Sequence, residues 1–119
     1  MILVDTSVWI DHFHRGDLEL ISLLERSLVL QHPMVIGELA LGSLRDRQDV
    51  LGLLANLQSM PVATHAEVSR FVEVKVLYGQ GLSLVGAHLL ASTVLAPGAR
   101  LWTRDKRLAS AASRLGVAA

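Results

Sequence analysis

The chain has 119 residues, of which 51% are apolar and none is cysteine, and its eleven basic side chains are cancelled by eleven acidic ones. That length and apolar fraction fill one core and leave little for a second, so a single domain over residues 1–119 is expected. The balanced charge excludes a molecule-wide positive field for nucleic acid, and the missing cysteines exclude disulfides, thiolate catalysis and cysteine-ligated zinc or iron–sulfur sites.

Met1 to Val4 is a short branched apolar run of the kind found in fully buried strands, and it stops at the capping types Asp5, Thr6 and Ser7. The opening MILVDTSVWIDHF has no basic leader region, and its apolar run is too short for a signal peptide or a membrane span, so a cytoplasmic location without a membrane partner is expected. Val8, Trp9 and Phe13 fall at helical spacing after the strand. Arg15-Gly16-Asp17 interrupts that period before Leu18, Ile21 and Leu24 resume it, which predicts two helices. Leu28 to Leu30 is a second apolar strand, and Pro33 opens a helix closed by Gly42. A further helix is predicted over 46–57, a short strand at Val62-Ala63, and a helix over 67–78 stopped by Gly79. Ser83 is the predicted N-cap of a helix through Leu95 that Pro97-Gly98 terminates. Ala99 to Thr103 is a buried strand containing Trp102, placed centrally and in the core, and the last helix spans 105–115 before an edge strand at Val117. Apolar strands alternating with longer helices imply an α/β fold, a three-layer α/β/α sandwich with a mainly parallel central sheet.

Ligands of such sheets bind beyond the carboxyl ends of the strands. Asp5 directly follows the first strand and Asp105 comes two residues after Thr103, so both reach that crevice without long loops. Glu38 interrupts the otherwise apolar Met34-Val35-Ile36-Gly37-Glu38-Leu39-Ala40-Leu41, and a carboxylate there either faces water, pairs with an arginine, or meets a cation in the crevice. Carboxylates at the ends of several elements suit magnesium or manganese, which prefer oxygen ligands. The five histidines show no paired ligand spacing. Among the C-terminal basic residues, Arg104 and Lys106 flank Asp105 and are placed to steer a phosphate backbone, whereas Arg107 and Arg114 read as solvated helix charges.

ILVDTSVWIDHF, VIGELALG, GLSLVGAHLLAS and ARLWTRDKRLASAASRLGV, in this order and spacing, resemble PIN domains, and in particular the VapC-type toxins of toxin–antitoxin pairs. The resemblance implies an Mg²⁺- or Mn²⁺-dependent endoribonuclease that acts on RNA, with Asp5, Glu38 and Asp105 as catalytic metal-site acids. It matches Thr6 and Thr103 to hydroxyls that orient a carboxylate or a bound water. It also implies a homodimer neutralised by a VapB-type antitoxin, and Trp9, Phe13, Leu18, Ile21 and Leu24 serve either the core or an antitoxin groove.

One position departs from the pattern. Where the family usually has aspartate this chain has Gly86, at a cost of about 0.8 to 1 kcal/mol relative to alanine in a helix interior. An acid there would favour the helix dipole and could complete a capping box with Ser83. Gly86 is therefore expected to impair or abolish cleavage, and the alternative is a catalytically dead module that binds antitoxin or RNA without cutting. A phosphoacceptor receiver domain has a similar crevice but fits poorly, because it needs adjacent acids after its first strand.

Overall fold

Ile2–Val4 forms β1 in the computed structural model, which describes all residues 1–119. Leu3 and Val4 are both fully buried, and because successive side chains of a strand point to opposite faces, both faces of the sheet must be covered. β2 (Val29–Gln31), β3 (Gln58–Ser59) and β4 (Arg100–Trp102) complete a four-stranded sheet of order β3-β2-β1-β4, parallel throughout. Leu3 pairs with Leu30 on one side and Leu101 on the other, so β1 is a central strand.

The covering helices are α1 (Thr6–Arg15), α2 (Leu18–Glu25), α3 (Pro33–Leu41), α4 (Arg47–Ala55), α5 (His65–Lys75), α6 (Leu84–Leu95) and α7 (Lys106–Arg114), which give the three-layer α/β/α arrangement. In α6 every residue from Gly86 to Thr93 is buried, so it is wrapped on all sides, as its nearly uninterrupted apolar sequence requires. No helix is long and apolar enough to cross a membrane.

Three elements differ from their sequence reading, each for a local reason. The third strand is Gln58–Ser59, not Val62-Ala63: it is an exposed two-residue strand and carries no apolar signal, while the Ala63 N–H is bonded to the Ser92 hydroxyl at 3.1 Å. Helix α5 ends at Lys75 and not Tyr78. Val76 turns left-handed with φ 53°, the Leu77 N–H returns to the Val72 carbonyl at 2.9 Å, and the turn buries Leu77. Trp102 lies in the outer strand and is half-buried; beyond β4 the sheet continues only as a bridge between Leu101 and Ala118, one residue past the expected Val117.

His32 fastens several of these parts together. Its ring is fully buried, and Nδ1 accepts the Met34 N–H at 3.1 Å as the N-cap of α3. The proton of the neutral imidazole must then sit on Nε2, which donates to Ser92 Oγ of α6 at 3.0 Å. Burial first, and His88 beside it second, hold the His32 pKa down at about 4.

Candidate active site

The sheet order reverses its direction of growth at β1, with β2 on one side and β4 on the other, and in parallel sheets that switch point opens a crevice at the carboxyl ends. Asp5, Glu38, Gly86 and Asp105 all line one cleft of about 270 Å³ there, together with Thr6, Ser7 and Ser83. The residues come from four elements. Asp5 directly follows β1 and caps α1, Glu38 lies on α3, Gly86 is in the first turn of α6, and Asp105 caps α7.

Hydrogen bonds hold each carboxylate in place. Asp5, only 9% exposed, accepts the Thr6 N–H on Oδ1 at 2.8 Å and, on Oδ2, the hydroxyls of Thr103 at 2.6 Å and Ser7 at 3.2 Å. Thr103 Oγ1 in turn accepts the Asp105 N–H at 3.0 Å, so one hydroxyl fixes both acids relative to each other. Asp105 Oδ1 accepts the N–H groups of Arg107 and Leu108 at 2.9 and 3.2 Å, which leaves Oδ2 without a protein donor. Thr6 Oγ1 donates to Glu38 Oε1 at 2.7 Å, which ties α1 to α3 and leaves Oε2 free. Thr6 and Thr103 thus each donate to one of these carboxylates.

Gly86, where the resemblance leads one to expect an acid, has no backbone need for glycine, since its φ is not positive. A Cβ there would lie 3.1 Å from Ser83 Oγ and 3.5 Å from both δ carbons of Leu108, so a side chain fits after a shift of a few tenths of an ångström. Ser83 Oγ accepts the Gly86 N–H at 2.9 Å, which confirms the cap read from sequence.

The donors lining the cleft are carboxylate oxygens, which suit a hard cation. No three acidic or histidine side chains are clustered tightly enough to hold a metal ion jointly. The oxygens without a protein donor, Oδ2 of Asp105 and Oε2 of Glu38, are the ones open to a cation or its bound water.

Arg104 is already paired within the protein. Its guanidinium contacts Asp11 at 2.6 Å and Asp17 at 2.8 Å and lies 5.8 Å from the centroid of the Trp102 ring. It joins the β4–α7 turn to α1 and to the N-cap of α2, whose Asp17 is kept below the usual carboxylate range first by the Leu20 N–H it caps and then by Arg104. Asp11 and Asp17, far away in sequence, are the anions that Arg104 meets.

The residues assigned either to the core or to a groove divide between the two. Trp9 is buried and Leu24 packs against the core, whereas Phe13, Leu18 and Ile21 are exposed. A larger groove of about 720 Å³, lined by Ile10, Phe13, Leu39, Leu44 and Val50 among others, adjoins the acid cleft and shares Ile10 and Glu38 with it. Sequence reasoning missed Ser7, whose hydroxyl donates to Asp5 and accepts the Arg104 N–H at 3.1 Å; a second hydroxyl following Asp5-Thr6 was the available signal.

The family profile described as PIN domain matches residues 2–113. Over 118 residues, 99% of this chain and 95% of the relative, the sequence is 56% identical to Ribonuclease VapC32 of Mycobacterium tuberculosis, in both strain CDC 1551 / Oshkosh and strain ATCC 25618 / H37Rv.

Proposed function

The chain belongs to the PIN domain family, and on that footing we propose that it is a VapC-type toxin, a divalent-metal-dependent endoribonuclease of a toxin–antitoxin pair. The observation that carries the assignment of the site is the lining of one cleft by Asp5, Glu38 and Asp105 at the carboxyl ends of β1 and β4. Magnesium, or manganese in its place, supplies positive charge against a scissile RNA phosphodiester when bound there.

The protein's own part is orientation. Thr103 and Ser7 fix the Asp5 carboxylate, and its low exposure keeps bulk water from competing for those bonds. Thr6 turns Glu38 so that one oxygen remains open, and the first N–H groups of α7 do the same for Asp105. Each acid is thereby held before substrate arrives, which spares the reaction the cost of reorganising it. RNA is the substrate and a VapB-type antitoxin the partner; we further assign a homodimer and a cytoplasmic location, for which a light-scattering mass and cell fractionation are the tests. One domain comprises residues 1–119.

Gly86 favours a second reading, that of a fold which binds RNA or antitoxin without cutting. Removing a carboxylate from the cleft leaves the attacking water less well placed, and a misplacement of about 1 Å costs on the order of 10²-fold in rate. RNA cleavage at equal magnesium by the chain itself and by Gly86→Asp separates the two. The expected result is a rate at least about 10²-fold higher for Gly86→Asp. Equal rates refute the role given to position 86, and a Gly86→Asp protein that binds RNA but never cleaves it leaves only the binding module.

A further inference from the structure

Five basic residues gather near the carboxyl terminus, and their partners sort them. Arg100 donates to the carbonyls of Gly116 and Ala118, Arg104 is paired with Asp11 and Asp17, and Arg114 donates to the Lys75 carbonyl. Lys106 and Arg107 have neither a carboxylate nor a carbonyl partner for their side chains.

Arg107 alone of these two has a built seat. Its side chain lies flat against Gly81, where an added Cβ would sit 2.9 Å from both Cδ and Cζ and closer still to Nη1. Gly81 also has φ +75°, so the backbone turn favours glycine, and the missing Cβ leaves the room that the Arg107 side chain fills. That seat lies two residues before Ser83, and the Arg107 N–H is bonded to Asp105 Oδ1; both Ser83 and Asp105 line the acid cleft. The exposed guanidinium thus rests on the segment that leads into Ser83 of the cleft, without a carboxylate partner.

We propose that Arg107, seated on Gly81, contacts a backbone phosphate of single-stranded RNA and so positions the strand across the cleft. The proposal rests on the ribonuclease reading above. Three carboxylates lining the cleft repel a phosphodiester, so a cation nearby adds to the attraction that a bound metal ion would supply. A guanidinium matches two phosphate oxygens with its planar fork and, being already docked, loses little freedom on binding. Its neighbour Lys106 is a mobile point charge without such a seat.

The test is fluorescence anisotropy of a short fluorescein-labelled single-stranded RNA with the full chain in calcium, over a series of salt concentrations, with thermal melting as the control for folding. Arg107→Gln should weaken binding several-fold at low salt and reduce the slope of log K against log salt by about 0.7, the value for one phosphate contact on a single strand. Arg107→Lys should keep that slope and lose part of the affinity, and Arg114→Gln should match the unmodified chain in both. Affinity and slope unchanged in Arg107→Gln overturn the proposal. So does a loss confined to a poly-glutamate peptide, which would assign the guanidinium to an acidic protein partner. If the unmodified chain fails to bind the RNA at all, the ribonuclease reading falls first and this inference with it.

Discussion

Acidification should weaken this protein through His32 in particular. In an unfolded chain its imidazole titrates near 6.5, whereas burial and His88 hold the folded value at about 4. Above pH 6.5 the ring is neutral in both states and contributes nothing to the pH dependence. Between 6.5 and about 4 the unfolded chain binds a proton that the folded chain refuses, so stability falls as pH falls through that window. At 1.36 kcal/mol per pH unit, the loss approaches about 3 kcal/mol once pH falls below the folded value, a large share of a typical domain's stability. The geometry agrees: a proton on Nδ1 would face the Met34 N–H it now accepts and uncap α3, the helix that carries Glu38. Urea unfolding of the chain and of His32→Asn at several pH values between 7 and 4.5 is the assay. Asparagine keeps a capping acceptor, does not titrate, and loses the bond to Ser92, so the variant should start about 1 kcal/mol less stable. The gap should close or reverse as pH falls, since Asp17, Glu67 and other shared groups cancel in the difference. Curves that fall in parallel would refute the reasoning.

Arg104→Ala should lower stability by about 1–2 kcal/mol, because it removes a linked set of charged contacts to Asp11 and Asp17, and the loss should shrink in high salt; urea unfolding at two ionic strengths checks this. Thr103→Val should cost about 1–3 kcal/mol, because Asp5 Oδ2 loses its shortest bond and the Asp105 N–H its acceptor, as read by thermal melting. Gly86→Asp should bind manganese about 10-fold more tightly than the parent in calorimetric titration, because it adds a carboxylate to the cleft, with stability nearly unchanged.

The parts of the fold that were legible in sequence are those where one physical demand dominates. Leu3 and Val4 had to be buried on two faces, Pro33 and Ser83 had to start helices, and Asp5 and Asp105 had to follow strands of a parallel sheet. The third strand was not legible, because an exposed edge made of Gln58 and Ser59 is selected by its neighbour's hydrogen-bonding groups and not by hydrophobicity. The end of α5 was hidden for the opposite reason: the burial of Leu77 drives a branched residue, Val76, into a left-handed turn that local preference argues against. At the site, residue types and their order brought the acids to one cleft, but which arginine was free depended on contacts across the whole chain. Asp11 and Asp17 pair with Arg104 from 93 and 87 positions away (104 − 11 and 104 − 17), and Gly81 seats Arg107.

The bond between Thr103 and Asp5 spans 98 positions, and β1 acquires its β4 neighbour only when that late segment arrives. During synthesis the emerging polypeptide therefore carries Asp5 and Glu38 without the partner strand that completes the cleft, and pairing of such distant segments is slow. A nascent chain that ends before residue 100 has neither that neighbour strand nor Asp105, and so lacks part of the cleft. Truncated products lacking that segment should be harmless without any antitoxin at all.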